Sequence, residues 1–320
     1  MRLIVTGALG HIGSQLIREI PSAMPDVDVL MLDDLSTQRY CSLFNLPSEG
    51  RYRFLEADVM TADLAALFQG ADAVVHLAAI TNATASFDIQ EKVEEVNFAG
   101  TERVARACIE AGCALIFPST TSVYGTQAEV VDENCSSDDL KPQSPYAESK
   151  LKAERLLQAL GETEGLRFVI CRFGTIFGTS VGMRFHTAIN KFCWQAVMGQ
   201  PITVWRTALN QNRPYLELGD GIRSLKFILQ KGLYDGNLYN VVTVNTSVKS
   251  IVDIIRTHIP DLEIQYVDTR IMNQLSYHVS NQLFRDLGFE FEGDLEKGIG
   301  ETIQLLTNAG GGNDLRGTEC

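Results

Sequence analysis

The chain has 320 residues, 45% hydrophobic and 21% charged, the balance expected of a soluble globular protein with a substantial core. A formal net charge of −13 works against nucleic-acid phosphates and anionic lipid, so neither partner is expected. No run of eighteen apolar residues is present to span a membrane, and the apolar run in "MRLIVTG" is too short for a secretory signal.

In chain order, "RLIVT" (2–6) reads as a buried strand and residues 11–20 as a helix. The stretches "DVLMLD" (28–33), "YRFLEAD" (52–58), "AVVHLAA" (73–79), "ALIFPS" (114–119) and "RFVICRF" (167–173) are further strands. Helical patterns lie between them, notably at 91–112 and 144–165. Strands alternating with helices predict an α/β fold, a Rossmann-type doubly wound parallel sheet covered on both faces. Past residue 175 the rhythm changes. Residues 180–200 predict a loop entering an amphipathic helix, and "PITVW" (201–205) a short strand. Residues 213–232 predict a strand running into a helix, and "NLYNVV" (237–242) a strand rejoining the main sheet. This divides the chain into a dinucleotide-binding domain (1–175, its sheet completed by 213–243) and a smaller C-terminal substrate-binding lobe (176–212 and 244–309). The Gly-rich polar end, 310–320, predicts a disordered tail. The seven cysteines form no C-x-x-C pair and no zinc-spaced cluster, so no metal is expected, and reduced thiols in a cytoplasmic protein are the expectation.

The stretch "VTGALGHIGSQLI" places Gly7, Gly10 and Gly13 between the first strand and the first helix. Glycines there permit a tight turn and let backbone approach a pyrophosphate, while the helix N-terminus offers free N–H groups and a positive dipole end. Twenty residues after Gly13, Asp33 closes the second strand. A carboxylate there accepts hydrogen bonds from a ribose diol and repels a 2′-phosphate, so NAD is the expected cofactor. Asp34 either shares that task or is a solvated turn residue. Asp58 either reaches the adenine edge or caps the turn that follows it. His11 reads as a spacer in the glycine turn, and His76 as a packed histidine.

The hydroxyl-rich "STTSVYG" (119–125) follows a buried strand directly, and "PYAESK" (145–150) sets Tyr146 and Lys150 four residues apart on one helix face. A phenol of pKa about 10 is too weak a base near neutrality. A lysine ammonium and a positive nicotinamide favour the phenolate, which makes the pair a candidate general base for an alcohol proton.

Taken in order, "TGALGHIG", "DVLMLDDL", "EADV", "VVHLAA", "VNFAGT", "STTSVYG", "PYAESK" and "RFGTIFG" resemble the extended short-chain dehydrogenase/reductase family. The resemblance is to its branch of NAD-dependent nucleotide-sugar epimerases and dehydratases, the UDP-glucose 4-epimerase-like enzymes, and covers nearly the whole chain. It implies that Gly7, Gly10 and Gly13 hold the pyrophosphate with backbone contacts from His11 and Ile12. Asp33 binds the adenosine ribose, and Asp58 with Val59 the adenine. Leu77, Ala78 and Ala79 line the cofactor, with Asn97 near it. Thr120 is the catalytic hydroxyl, Tyr146 the base, and Lys150 its partner and the holder of the nicotinamide ribose. Thr81, Thr121, Ser122, Tyr124 and Thr175 fall in the substrate region. "NRPYLELGD" resembles the segment whose arginine grips the nucleotide diphosphate, which makes Arg213 that candidate, with a surface arginine as the alternative. Arg184 and His186 either meet an atypical substrate or pack a loop. A homodimer through the helices at 91–111 and 145–163 is implied as well.

Members that dehydrate or decarboxylate usually carry a glutamate two residues before the "YG" tyrosine, often preceded by aspartate. Here Ser122 and Thr121 hold those places, and neither hydroxyl is a base near neutrality. Two further departures fall in the substrate region: Thr175 replaces the asparagine of R-x-x-N, and "RTALNQNR" replaces the usual G-D-G before the arginine. The expected reaction is epimerisation of a nucleotide sugar, most often at carbon 4. It runs through a keto-sugar with hydride returned to the opposite face. A 4,6-dehydratase or keto-sugar reductase of the same family is the second reading. A non-catalytic dinucleotide sensor is the third, and the Thr120, Tyr146 and Lys150 set argues against it.

Overall fold

The computed structural model describes residues 1–125, 130–267 and 276–309, and the expected tail at 310–320 lies outside them. The first half runs β1 (Arg2–Thr6), α1 (His11–Ala23), β2 (Asp28–Asp33), β3 (Arg51–Glu56), α2 (Leu64–Phe68), β4 (Ala73–His76), α3 (Gln90–Glu94), α4 (Gly100–Ala111) and β5 (Ala114–Thr120). It continues through β6 (Val130–Val131), α5 (Pro145–Glu164) and β7 (Phe168–Phe173). After it come β8 (Thr175–Phe177), α6 (Ala188–Val197), β9 (Ile202–Trp205), β10 (Asn212–Glu217), α7 (Leu218–Lys231), β11 (Leu238–Val241) and β12 (Val244–Ser247). The chain closes with α8 (Val248–His258), β13 (Ile264–Val267), β14 (His278–Val279), α9 (Gln282–Asp286) and α10 (Leu295–Thr307).

Seven of these strands form the main sheet in the order β11-β7-β5-β4-β1-β2-β3, every pair parallel. Alternation along each strand feeds two apolar layers. Leu3 and Val5 of β1 pack on one face with Ile17 and Ile20 of α1 and Leu225 of α7. Ile4 packs on the other with Val104 of α4 and Leu157 of α5. Covering both faces explains why these strands read as unbroken apolar runs. The chain reverses direction between β1 and β4, and in such sheets the ligand crevice opens there, beyond the carboxyl ends of the strands.

The smaller lobe has its own core, with Ile189 and Phe192 of α6, Ile251 and Ile255 of α8, and Ile299 of α10. Two details of the segmental reading are revised. Only β11 rejoins the main sheet; β10 pairs parallel to β8 and antiparallel to β12 in a separate three-stranded sheet. In addition, Phe284 and Phe289 pack with the main sheet and not with the lobe. Buried Asp220 fastens the parts together. Its carboxylate accepts from Thr243 Oγ1 at 2.5 Å and from the backbone N–H groups of Glu292 and Gly293 at 2.9 and 3.0 Å, and it pairs with Arg223.

Candidate active site

A cavity of about 340 Å³ lies at the carboxyl ends of β1, β4, β5 and β7, on the side where the glycine turn enters α1. Gly7 is left-handed (φ +65°), and a Cβ there would stand 2.6 Å from Ala78 N. A Cβ on Gly13 would stand 2.6 Å from Gly7 O and 2.7 Å from Ala8 O, all backbone that cannot yield. Gly13→Ala is therefore expected to lower the melting temperature and abolish NAD binding together, read by thermal unfolding with and without NAD. Gly10, His11 and Ile12 line the cavity wall with Gly7 and Gly13, so the backbone cradle a pyrophosphate requires is present.

β5 carries Thr120 to the cavity floor. Its Oγ1 accepts from Ser122 N at 3.1 Å, which starts a short 3₁₀ turn over Thr121–Val123, and Thr120 lines the cavity with Tyr146. Ser144 caps α5 by accepting from Ala147 N at 3.2 Å, Pro145 opens the helix, and Tyr146 and Lys150 then face the cavity one turn apart. Burial pushes Tyr146 up to about 12, while the nearby Thr120 hydroxyl and then the Arg184 guanidinium pull the other way. Burial pushes Lys150 down to about 7, opposed by Glu154. Its Nζ donates to Pro118 O at 2.9 Å and lies 4.3 Å from the centre of the Phe117 ring. Arg184 is thus a second cation near the Tyr146 phenol, beside the Lys150 to which the sequence points.

Behind this set, Glu154 continues the Tyr146–Lys150 stripe by one further turn. It receives Arg172 through Nε at 3.0 Å and Nη2 at 2.7 Å, both side chains being 4% exposed or less, and also accepts from Ser119 Oγ. His76 is a packed histidine of fixed tautomer. Thr101 donates its hydroxyl to Asn97 O, so Thr101 Oγ1 accepts from His76 Nε2–H at 3.2 Å, and His76 Nδ1 accepts from Thr6 Oγ1 at 2.7 Å. Burial holds this imidazole neutral, at about 3.

The family model for the NAD-dependent epimerase/dehydratase family matches residues 3–241. The chain belongs to this family. A trifunctional UDP-glucose 4,6-dehydratase/UDP-4-keto-6-deoxy-D-glucose 3,5-epimerase/UDP-4-keto-L-rhamnose-reductase of Arabidopsis thaliana is 30% identical over 95% of this chain and 47% of its own length. The chain thus spans about half the length of these plant relatives (47%). A Bacillus subtilis UDP-glucose epimerase, itself uncharacterized, is 32% identical over 75% of this chain and 76% of its own. Among solved structures, MoeE5 in complex with UDP-glucuronic acid and NAD superposes with a TM-score of 0.84 at 25% identity, covering 97% of this chain and all of that one (100%).

Measured against the sequence-derived site of this family member, the cavity gathers Gly7, Gly10, His11, Ile12, Gly13, Leu77, Ala79, Thr81, Thr120, Ser122, Tyr146, Lys150, Thr175 and Arg184. Asp33 lies outside its wall, at the end of β2, where it accepts from Leu9 N and Leu35 N, both at 3.0 Å. Asp34 accepts from Ser36 N and Oγ, as a turn residue does. Asp58 accepts from Met60 N at 2.8 Å and its carbonyl from Thr61 and Ala62, which is the capping role. Val59 and Ala78 pack into the layer under α4. Asn97 is fully buried and clamps the loop after β4, accepting from Ile80 N at 2.8 Å and donating to Ile80 O at 2.9 Å.

Three substrate candidates are not brought to the cavity. Tyr124 is fully buried in a core cluster with Val131 and Tyr277, and its hydroxyl donates to Asn240 Oδ1 at 2.9 Å. Thr121 is buried on the far side of the 3₁₀ turn, donating to Phe173 O. Arg213 shares a face of β10 with buried Tyr215 and donates to Gln211 Oε1 at 2.8 Å. Sequence reasoning missed the loop Asn82–Thr84 and Thr187, which line the cavity, and Arg39 beside the glycine turn. The signal for the loop was a second hydroxyl-rich run, "TNATAS".

Proposed function

We propose that this chain is an NAD-dependent epimerase of a nucleoside-diphosphate sugar, acting at carbon 4. The observation that carries the reading is the composition of the cavity. It presents Thr120, Tyr146 and Lys150 together, and among the described residues lining it there is no aspartate or glutamate. When bound, NAD supplies a reversible hydride acceptor and a positive charge. Tyr146 removes the proton from the sugar hydroxyl and returns it at the end of the cycle, with the nearby Thr120 hydroxyl favouring the phenolate. Lys150, pinned to Pro118 O, keeps a partly charged ammonium under that oxygen's helix turn. The hydroxyls of Thr81, Ser122 and Thr175 can orient a sugar but cannot take a carbon-bound proton, which favours return of the ketone to an alcohol. The lobe built on α6, α8 and α10 is the proposed holder of the nucleotide sugar.

Incubation of the purified chain with UDP-glucose, UDP-glucuronic acid or dTDP-glucose, followed by product identification, tests the proposal. A carbon-4 epimer supports it and a 4-keto-6-deoxy sugar contradicts it. A dehydratase is the second reading, favoured by His186. Partial burial, then Arg184 and Arg39, hold this imidazole down to about 4, so a neutral base stands on the cavity wall. A cytoplasmic homodimer paired through α4 and α5 belongs to the same proposal and rests on the family resemblance. No helix among the described residues is long and apolar enough to cross a membrane, and the six described cysteines are free thiols.

A further inference from the structure

We propose that Arg39 and Arg184 form a two-guanidinium clamp on the dinucleotide's pyrophosphate at the glycine turn. The inference rests on the NAD reading above and extends it to residues outside the glycine turn.

Arg39 follows β2 by six residues, on the loop that Asp33 begins. Its Nη1 is buried and has no hydrogen-bond partner among the described residues. The same atom lies 3.9 Å from where a Cβ on Gly10 would stand, so it hangs directly over the glycine turn. A buried guanidinium nitrogen without an acceptor is costly, and a phosphate oxygen is an acceptor that its planar fork suits.

Arg184 arrives from the other lobe. The loop that carries it is strapped to the start of α1. His11 Nε2 donates to Gly178 O at 3.1 Å, Ser180 Oγ to His11 O at 2.9 Å, and Gly182 N to Ser14 Oγ at 3.0 Å. At Gly182 the loop runs so close to the turn that a Cβ would stand 2.4 Å from Leu9 O. Arg184 itself is within electrostatic reach of Asp33, at the adenosine end of the site, and of Tyr146, at the catalytic end. Arg184 shares the cavity wall with Gly7, Gly10 and Gly13, the turn that would cradle the pyrophosphate.

The charge count agrees. Arg39 and Arg184 repel one another, and with burial they hold His11 and His186 neutral, each at about 4. Asp33 is the carboxylate facing both arginines, and its oxygens already accept from Leu9 N and Leu35 N. Two cations against one engaged carboxylate leave a site that a pyrophosphate dianion completes.

Equilibrium dialysis of the full-length chain with labelled NAD, competed by ADP-ribose or AMP, tests the clamp. R39Q and R184Q are each expected to weaken NAD and ADP-ribose about tenfold or more, and AMP, which lacks the pyrophosphate, by less than about threefold. R39K keeps the charge without the paired donors and is expected to fall between R39Q and the unmodified chain. Unchanged NAD affinity in both glutamine variants overturns the clamp. So does an equal loss for AMP, which would place the arginines on the adenosine moiety. An unmodified chain that binds no NAD would overturn the cofactor reading itself.

Discussion

Tyr146→Phe is expected to lower sugar turnover by about 10²–10⁴-fold while leaving NAD affinity and stability close to those of the unmodified chain. The variant removes one oxygen, the phenol's, and leaves the ring in place. The pH profile adds a sign. Tyr146 works as a base only when deprotonated, and in the protein alone its phenol is pushed up to about 12. Below that value each pH unit raises the phenolate fraction about tenfold. Sugar oxidation should therefore climb from pH 6 upward. NAD binding should move the climb to lower pH, since a positive charge favours the phenolate. Single-turnover oxidation rates across pH, with the phenylalanine variant as baseline, check both statements. A variant retaining a third of the activity would remove Tyr146 from the chemistry.

Glu154→Ala is expected to destabilise the chain by about 3–5 kcal/mol, measured by chemical denaturation. It leaves the Arg172 guanidinium, 4% exposed, without its counter-charge and removes the acceptor of Ser119 Oγ. Replacing both partners by leucine should recover much of that loss, because the pair's attraction is largely offset by its desolvation. The glutamate also supports the site. It is the charge that favours the Lys150 ammonium, so its removal should lower Lys150 further and weaken activity beyond what instability explains. A loss below about 1 kcal/mol would mean that the pair is not sealed from water as the structure has it.

The elements that specify the cofactor site were legible because each rests on local chemistry. The glycine turn is demanded by backbone contacts within one strand–turn–helix unit, and Ser144, Pro145, Tyr146 and Lys150 are set by one helix start. What was not legible depends on long-range placement. The run at 91–112 reads as one helix, yet Glu95–Ala99 forms a π turn that places Asn97 on Ile80, and no periodicity announces that widening. Tyr124 follows Thr120 by four residues, but the 3₁₀ turn between them points its ring into the core, below the Arg172 guanidinium at 4.8 Å. Arg39 has no spacing that marks it. Its role emerges only once a loop more than a hundred residues downstream lies across the same turn.

The most direct test of the whole account is proton NMR of the purified chain with UDP-glucose or UDP-glucuronic acid in deuterated buffer, without added NAD. The account predicts a second anomeric signal that grows to an equilibrium ratio, belongs to the carbon-4 epimer, and carries no solvent deuterium on the sugar ring. A 4-keto-6-deoxy product, or deuterium entering the sugar, would show that the cavity moves a carbon-bound proton and would contradict the epimerase reading.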